Sequence, residues 1–381
     1  MKLLLPLLIV LAAGFAEAGP RDCPPPDLPP GIDANSARIR YTRDCLPYVR
    51  TPRREFFGLR QAGFDYPAHR VRVDGMRIRY IDEGPRDGEV VLLLHGQPSY
   101  GYLYRRMIPI LLEAGLRVIV PDLIGAGRSD KPVEFSRYSF LQHVDWIEEF
   151  LDRVPASRRG GPRRKLSDVT LFCQDWGAVI GLRVVGNQPE RFSRVVLANG
   201  NLPVVPFEIT LVPMPDPPLE DPTALNPFTG TCDLPGLGCF GRWAEWALVN
   251  PEFQASDVVE FGSEITLTDQ EAAAYDAPFP DRIYMAGIRV WPSLINTLGE
   301  SPTNVAAREV FDNFDKPFLT LFGRLDRLLG SEQTQAAMRD TVPGAVGQPH
   351  HAYPDANHFI QEDKGEDLAH RMVDFIANNP R

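Results

Sequence analysis

The chain has 381 residues, of which 44% are hydrophobic and 24% are charged. These proportions are ordinary for a globular protein, and the length allows one large domain or two. The formal net charge of −10 at pH 7 argues against nucleic acid or an anionic membrane surface as a partner.

The first 20 residues have the pattern of an export signal. One early lysine precedes an apolar run, and Ala16-Glu17-Ala18 stands before Gly19. The run is shorter than the roughly 20 residues that span a bilayer. We therefore predict a signal peptide over residues 1–18, an exported (periplasmic or secreted) protein, and no stable membrane insertion after cleavage. An uncleaved anchor is the alternative, and N-terminal sequencing of exported protein decides between them.

Five cysteines are present, without a C-x-x-C pair or a cluster of cysteine and histidine that suggests a metal site. Because export leads to an oxidising compartment, we expect disulfides between Cys23 and Cys45 and between Cys232 and Cys239. Cys173 lies inside an apolar strand and is expected to be a buried thiol.

The next segments predict an arm, a hairpin and an alternating α/β core. Residues 19–66 are rich in proline and arginine and show little periodicity, which indicates an extended arm on the core. Polar and apolar residues then alternate on both sides of Asp74-Gly75, a two-residue hairpin signal. Further strands are predicted at 89–96, 117–122, 169–175, 194–200, 317–323 and 348–355. Strands separated by helices pair in parallel, so we predict an α/β fold with helices on both faces of a mostly parallel sheet.

One segment, residues 204–296, breaks this alternation. It contains no such strand, is dense in proline, and carries Trp243, Trp246 and Trp291. An insertion at this point would lie over the carboxyl ends of the strands, where open α/β sheets bind ligands. We predict a helical cap domain there, with the core formed by residues 67–203 and 297–381.

The stretch "LFCQDWGAVIG" reads as a strand, a tight turn and a helix that begins with small residues. An α/β-hydrolase places its nucleophile at such a turn, usually as serine in Gly-x-Ser-x-Gly. Here the position holds Asp175, which as a simple N-cap residue would carry no chemistry. Asp175 stands between Gln174 and Trp176, and this stretch alone does not decide between the two roles. The residues and the turn described next favour a carboxylate nucleophile in an α/β-hydrolase fold.

Two further residues complete a catalytic pattern. His358 follows the last predicted strand and is the only histidine in the position along the chain that is expected of the base. Asp326 follows the preceding strand, so the order Asp175, Asp326, His358 matches nucleophile, acid and base. The remaining histidines are expected to be structural, with His95 a turn residue, His69, His143 and His370 on the surface, and His350 and His351 in or beside the last strand.

The turn after the first core strand, "HGQP", is where such hydrolases place one backbone donor of the oxyanion hole, and the residue after the nucleophile supplies the other. These donors are Gln97 and Trp176 in this chain. The indole N–H of Trp176 is in addition a donor suited to a large, soft anion such as chloride or bromide.

A carboxylate nucleophile predicts displacement at saturated carbon. A serine would form a stable ether with such a carbon, whereas an aspartate forms an ester that water hydrolyses. Aspartate is ionised at neutral pH, so a base is needed only for the second step.

Together these residues resemble the haloalkane dehalogenases, and specifically the subgroup in which two tryptophans hold the halide. The resemblance runs from about residue 50 to the C-terminus. The motifs that carry it are "HGQPSYGYLYRRMIP", "SDKP", "QDWG", "DAPFPD", "LDRLLG" and "NHFIQE". It implies that a haloalkane and water give an alcohol, halide and a proton without cofactor or metal, with Asp175, His358 and Asp326 as the triad.

The resemblance also implies one halide donor in the core and one in the cap. Trp176 is the core donor, and the spacing to the following Val-Asn-Pro favours Trp243 over Trp246 in the cap. Gln97 departs from the pattern, because this subgroup often has glutamate there and another subgroup has a halide-binding asparagine. The amide then either assists the halide or positions the water.

Two other functions stay open at this point. An epoxide hydrolase uses the same triad but needs two cap tyrosines, for which Tyr275 and Tyr284 are available, although "YMAGIRVWP" around Tyr284 matches the dehalogenases. The third hypothesis is a non-catalytic binding protein with a hydrolase fold. The complete triad argues against it, because such a protein has no need of all three groups.

Overall fold

The computed structural model describes residues 23–156, 165–202, 238–298 and 302–381. The predicted signal peptide, the first part of the predicted cap, and Cys232 of the expected Cys232–Cys239 disulfide lie outside the described residues. The strands are β1 Arg40–Tyr41, β2 Pro47–Val49, β3 His69–Val73, β4 Met76–Glu83, β5 Val90–Leu94, β6 Arg117–Pro121, β7 Lys131–Pro132, β8 Val169–Gln174, β9 Phe192–Ala198, β10 Phe318–Gly323 and β11 His351–Tyr353. The α-helices are α1 Ile108–Glu113, α2 Phe140–Arg153, α3 Trp176–Asn187, α4 Gly238–Val249, α5 Ala255–Phe261, α6 Asp269–Asp276, α7 Ala286–Val290, α8 Pro302–Phe311, α9 Glu332–Arg339 and α10 Ile360–Asn378.

Eight strands form the central sheet in the order β11-β10-β9-β8-β5-β6-β4-β3. Neighbours from β11 to β6 are parallel, whereas β4 is antiparallel to β6 and to β3. Every residue of β5, β6, β8 and β10 is buried, as expected for strands covered on both faces. The fold is therefore that of an α/β-hydrolase, with a mostly parallel sheet.

The predicted hairpin joins β3 to β4. Its two turn residues, Asp74 and Gly75, have φ of 48° and 75°, the pair of positive values that a type I′ turn requires. That turn matches the right-handed twist of the strands and so fixes their register.

The arm is more structured than the sequence predicts. β1 and β2 form a hairpin, and β2 also pairs with β7 of the core to give a small three-stranded sheet. Arg50 donates to both carboxylate oxygens of Asp130 at 2.6 and 2.7 Å, which ties the arm to the core. Strands this short show no periodic sequence pattern, so they are recognised only by their pairing in the structure.

The predicted disulfide between Cys23 and Cys45 is present and closes the arm on itself over a sequence separation of 22. Cys173 is a free, buried thiol, as predicted, and burial raises its pKa. Among the described helices, none is both long and apolar enough to cross a bilayer.

Helices α4 to α7 occupy the chain between β9 and β10, where the cap is predicted. α6 begins with a capping box in which Thr268 and Glu271 exchange hydrogen bonds. Arg105, just before α1, donates to Glu271 at 2.6 Å and forms a bidentate ion pair with Glu362 of α10. Buried charges with such partners hold the α6 segment against the core.

We expect Cys45→Ser to lower the free energy of unfolding by about 3 kcal/mol, because the bond removes conformational entropy from the unfolded arm. Urea unfolding followed by tryptophan fluorescence measures this. The double variant Cys23→Ser, Cys45→Ser is the matched control and should equal the single one, since either change removes the same bond. A single variant as stable as the wild type would contradict the expectation.

Candidate active site

The predicted nucleophile lies at a strained turn between β8 and α3. Asp175 has φ 54° and ψ −130°, a region that side-chain-bearing residues rarely occupy. Two glycines allow the close approach: a Cβ on Gly96 would lie 2.1 Å from Asp175 Oδ1, and one on Gly177 would lie 2.1 Å from the Leu94 carbonyl oxygen. The turn therefore depends on the absence of both side chains, and it leaves the Asp175 side chain 18% exposed.

The Asp175 carboxylate is fixed by one of the two predicted backbone donors. The Gln97 N–H donates to Asp175 Oδ1 at 2.8 Å. No hydrogen bond joins the Trp176 backbone N–H to this carboxylate in the described part of the chain. The Gln97 side chain turns away from it and donates through Nε2 to the Ile288 carbonyl at 2.8 Å. The side-chain amide nitrogen of Gln97 is therefore hydrogen-bonded to α7.

His358 lies between two carboxylates. Its Nδ1 is 2.8 Å from Asp326 Oδ2, and its Nε2 is 3.4 Å from Asp175 Oδ2. The ring is 1% exposed. The structure therefore brings together the three residues that the sequence predicts as a triad, although 183 positions separate the first from the last.

Asp326 is kept ionised by donors around it. Burial raises the pKa of this carboxyl, but His358 and hydrogen bonds from Asn199 and the Leu329 N–H outweigh burial and lower it. Asn199 Nδ2 donates to Asp326 Oδ2 at 2.9 Å, and the Asn199 carbonyl accepts the Asp175 N–H at 3.0 Å. Asn199 therefore joins the nucleophile turn to the acid, a role that the sequence analysis missed at the end of β9.

The same two carboxylates determine the charge of His358. Burial lowers the pKa of the imidazole, but Asp326 and Asp175 outweigh burial and raise it to about 10. Gln174, the residue before the nucleophile, donates to the His358 carbonyl at 3.0 Å, and its Nε2 lies 3.2 Å from His358 Nε2. Gln174 is a second positioning residue that the sequence analysis did not single out, and only its place beside Asp175 could have pointed to it.

Two of the tryptophans donate their indole N–H to acceptors within the protein. Trp146 donates its N–H to Asp74 at 3.1 Å, and Trp291 donates to His143 Nε2 at 2.7 Å. Trp176 is 6% exposed, and its indole N–H has no protein acceptor in the described ranges. Trp243 and Trp246 stack with ring centroids 5.0 Å apart, and Trp246 also packs on Phe253 at 5.3 Å. Trp291 is thereby excluded as a halide donor.

One histidine prediction was wrong. His143 is buried, not on the surface, and burial lowers its pKa to about 3, so it remains neutral and accepts the Trp291 N–H. His95 lies in the turn after β5, where its Nε2 accepts the Leu123 N–H at 2.9 Å and its Nδ1 lies 2.9 Å from the Gly96 carbonyl. His95 thus holds the turn and is not free to act as a base.

One of the two tyrosines that an epoxide hydrolase would need is engaged elsewhere. The Tyr275 hydroxyl donates to Glu362 in the buried ion-pair network of Arg105. It therefore points to α10 and is not available to a substrate beside Asp175. Within the described residues, no group of three or more side chains is arranged to hold a metal ion.

Comparison with known proteins gives a consistent result. Residues 89–365 match the family model described as alpha/beta hydrolase fold. A haloalkane dehalogenase of Psychrobacter cryohalolentis is 39% identical over 88% of this chain and 100% of its own length. The solved haloalkane dehalogenase DpaA from Paraglaciecola agarilytica NO2, described as tetrameric, is 28% identical with a TM-score of 0.66, covering 85% of this chain and 97% of its own.

A more distant relative carries a different name. The cis-3-alkyl-4-alkyloxetan-2-one decarboxylase of Xanthomonas campestris pv. campestris is 28% identical over 84% of this chain and 98% of its own. The dehalogenase of P. cryohalolentis is more similar and matches over its full length. With its fold, its Asp-His-Asp arrangement and this identity, the chain belongs to the haloalkane dehalogenase family of α/β-hydrolases.

Proposed function

We propose that the protein hydrolyses haloalkanes through an alkyl-enzyme ester on Asp175, with His358 as the base and Asp326 as its support. The observation that carries this proposal is the carboxylate at the nucleophile turn, 3.4 Å from the imidazole of His358. The similarity to haloalkane dehalogenases supports the substrate class.

In the first step Asp175 Oδ2 attacks the carbon that bears the halogen. Oδ1 is held by the Gln97 N–H at 2.8 Å, so Oδ2 is the freer oxygen. A carbon–oxygen bond forms, the carbon–halogen bond breaks, and the halide leaves with the bonding electron pair. Donors aimed at the departing halide lower this barrier because its negative charge grows in the transition state.

In the second step His358 Nε2 takes a proton from water, which attacks the carbonyl carbon of the ester. Collapse of the tetrahedral intermediate restores the Asp175 carboxylate and releases the alcohol, and the proton on His358 passes to solvent. During this step the Gln97 N–H stabilises the negative charge that develops on Oδ1.

The charge on Asp175 coordinates the two steps. While Asp175 is ionised it helps to hold the proton on His358, whose pKa is raised to about 10. Alkylation removes that charge, so the pKa of His358 falls and the imidazole becomes a base when the ester needs one.

The halide cradle is proposed to consist of Trp176 and one cap indole. Trp176 directly follows the nucleophile, and its N–H is directed to no protein acceptor among the described residues. Trp243 is the proposed cap donor, and the packing of Trp246 on Phe253 favours a structural role for Trp246.

Export is also proposed, supported by the Cys23–Cys45 disulfide, since such bonds persist in oxidising compartments.

Replacement of His358 by phenylalanine should stop ester hydrolysis and leave alkylation intact, because only the second step needs a base. After incubation with a small bromoalkane, mass spectrometry should show an alkyl adduct on the peptide that carries Asp175. Asp175→Ala in the same background is the control and should give no adduct. A folded His358→Phe protein with an unmodified peptide would refute the nucleophile, and wild-type enzyme that releases no bromide would refute the activity.

Trp243→Phe should lower turnover on the order of 10²-fold, because it keeps the ring and removes one donor to the leaving halide. Trp176→Phe should be at least as damaging, and the matched change Trp246→Phe should cost much less. Steady-state bromide release and quenching of tryptophan fluorescence by bromide measure the effect. A larger loss in Trp246→Phe would reverse the assignment of the cap donor.

The pKa of His358 should fall by about 1 to 3 pH units in Asp175→Asn, because one of the two carboxylates that hold its proton becomes neutral. NMR titration of ring-labelled histidine measures both proteins. The protonation of His358 should also affect catalysis. Hydrolysis of the ester should slow as the pH falls, because His358 then becomes protonated. Single-turnover kinetics test this. An unchanged His358 pKa in the variant would show that Asp175 does not control the base.

A further inference from the structure

Gln174, the residue before the nucleophile, has a side-chain amide whose orientation is fixed by its neighbours. The residue is fully buried, and its Nε2 donates to the His358 carbonyl at 3.0 Å. Because a carbonyl oxygen only accepts hydrogen bonds, the oxygen end of the amide cannot take this place. Gln361 Nε2 lies 3.5 Å from Gln174 Oε1, which agrees with the same orientation. The nitrogen end of the amide is therefore held on the side of His358.

The same nitrogen lies beside the atom of His358 that acts as the base. Gln174 Nε2 is 3.2 Å from His358 Nε2, whereas Asp175 Oδ2 is 3.4 Å from it. An amide N–H can only donate, so it forms a hydrogen bond there only when His358 Nε2 carries a lone pair. When that nitrogen is protonated, two N–H groups face each other. A hydrogen bond to the neutral form of a group disfavours its charged form, so this contact favours the neutral imidazole.

The charged groups that face this imidazole act in the opposite direction. Burial favours the neutral ring, but Asp326 from the loop after β10 and Asp175 from the nucleophile turn both favour the protonated one. α10 and α5 approach through uncharged residues. Phe359 packs on the ring at 4.9 Å, and a Cβ on Gly262 would lie 3.4 Å from the Cβ of the histidine. From β8, the amide of Gln174 opposes the two carboxylates.

We propose that the amide N–H of Gln174 disfavours a proton on His358 Nε2 and so keeps the imidazole neutral for the hydrolysis of the ester. This inference rests on the proposed function, since it concerns the step in which His358 takes a proton from water. In the resting enzyme the charge of Asp175 outweighs the amide. Once alkylation has removed that charge, Asp326 alone opposes the amide. The incoming water then replaces the amide as the donor to Nε2 and gives up its proton there.

NMR titration of ring-labelled histidine tests this inference in Asp175→Asn, which mimics the uncharged ester. Adding Gln174→Met, which keeps the length of the side chain and removes the amide, should raise the pKa of His358 by about 0.5–1 pH unit. Adding Gln335→Met instead is the matched control. Gln335 is also buried, and it donates to Thr320 Oγ1 at 3.0 Å between α9 and β10. Its loss should leave the pKa of His358 unchanged.

Single-turnover kinetics of ester hydrolysis, with Asp175 intact, give the second readout. In Gln174→Met the acidic limb of the pH profile should move to higher pH, because the imidazole keeps its proton longer. At a fixed pH below the midpoint the rate should therefore fall about three- to tenfold. A purely structural role would instead lower the rate at every pH and leave the midpoint unchanged. That result, or a His358 pKa that Gln174→Met leaves unchanged or lowers, would overturn the inference.

A second variant guards against a folding defect in Gln174→Met. Gln174→Glu keeps the shape of the amide, and its carboxylate would accept from the protonated ring, so it should raise the pKa of His358 further. An unchanged pKa in folded Gln174→Glu would also contradict the inference. These NMR measurements need no turnover, so they stand apart from the proposed function, which fails only if the wild type releases no bromide from a bromoalkane.

Discussion

The close approach of two backbone segments at Asp175 is the constraint on which the site depends. Gly96 and Gly177 leave room for the strained turn, because a Cβ on either would collide with Asp175 or with the Leu94 carbonyl. The parallel pairing of β5 with β8 places these segments side by side at the carboxyl edge of the sheet. The strain at Asp175 is therefore carried by the core of the fold, and the carboxylate remains partly accessible.

Around that turn, the buried charged side chains have partners of opposite charge and hydrogen bonds. His358 stands between Asp326 and Asp175, and neutral hydrogen bonds from Asn199 and Gln174 hold the Asp326 carboxylate and the His358 backbone carbonyl. Buried charges are tolerable only when paired and hydrogen-bonded. In the proposed mechanism the same balance makes His358 sensitive to the charge of Asp175, and this sensitivity would set the order of the two steps without a conformational change.

The segment between β9 and β10 is tied to this centre by polar contacts as well as by packing. Arg105 bridges Glu271 of α6 and Glu362 of α10, and Tyr275 joins the same network. That engagement removes one of the hydroxyls on which an epoxide hydrolase would rely. The Trp291–His143 hydrogen bond likewise removes one indole from the set of halide donors. Substrate specificity in this fold therefore depends on which polar groups are already hydrogen-bonded within the protein.

The sequence by itself determined the alternation of strands and helices, the hairpin at Asp74-Gly75 and the order of the three triad residues, because each rests on a local pattern or on position along the chain. Only the tertiary structure decided that His143 is a buried acceptor, that the arm pairs with the core, and that Asn199 joins the acid to the nucleophile turn. Trp291 and His143 are 148 positions apart, and Asn199 and Asp326 are 127 apart. No local pattern records such pairs, since burial and hydrogen bonding between distant residues exist only once the sheet has assembled.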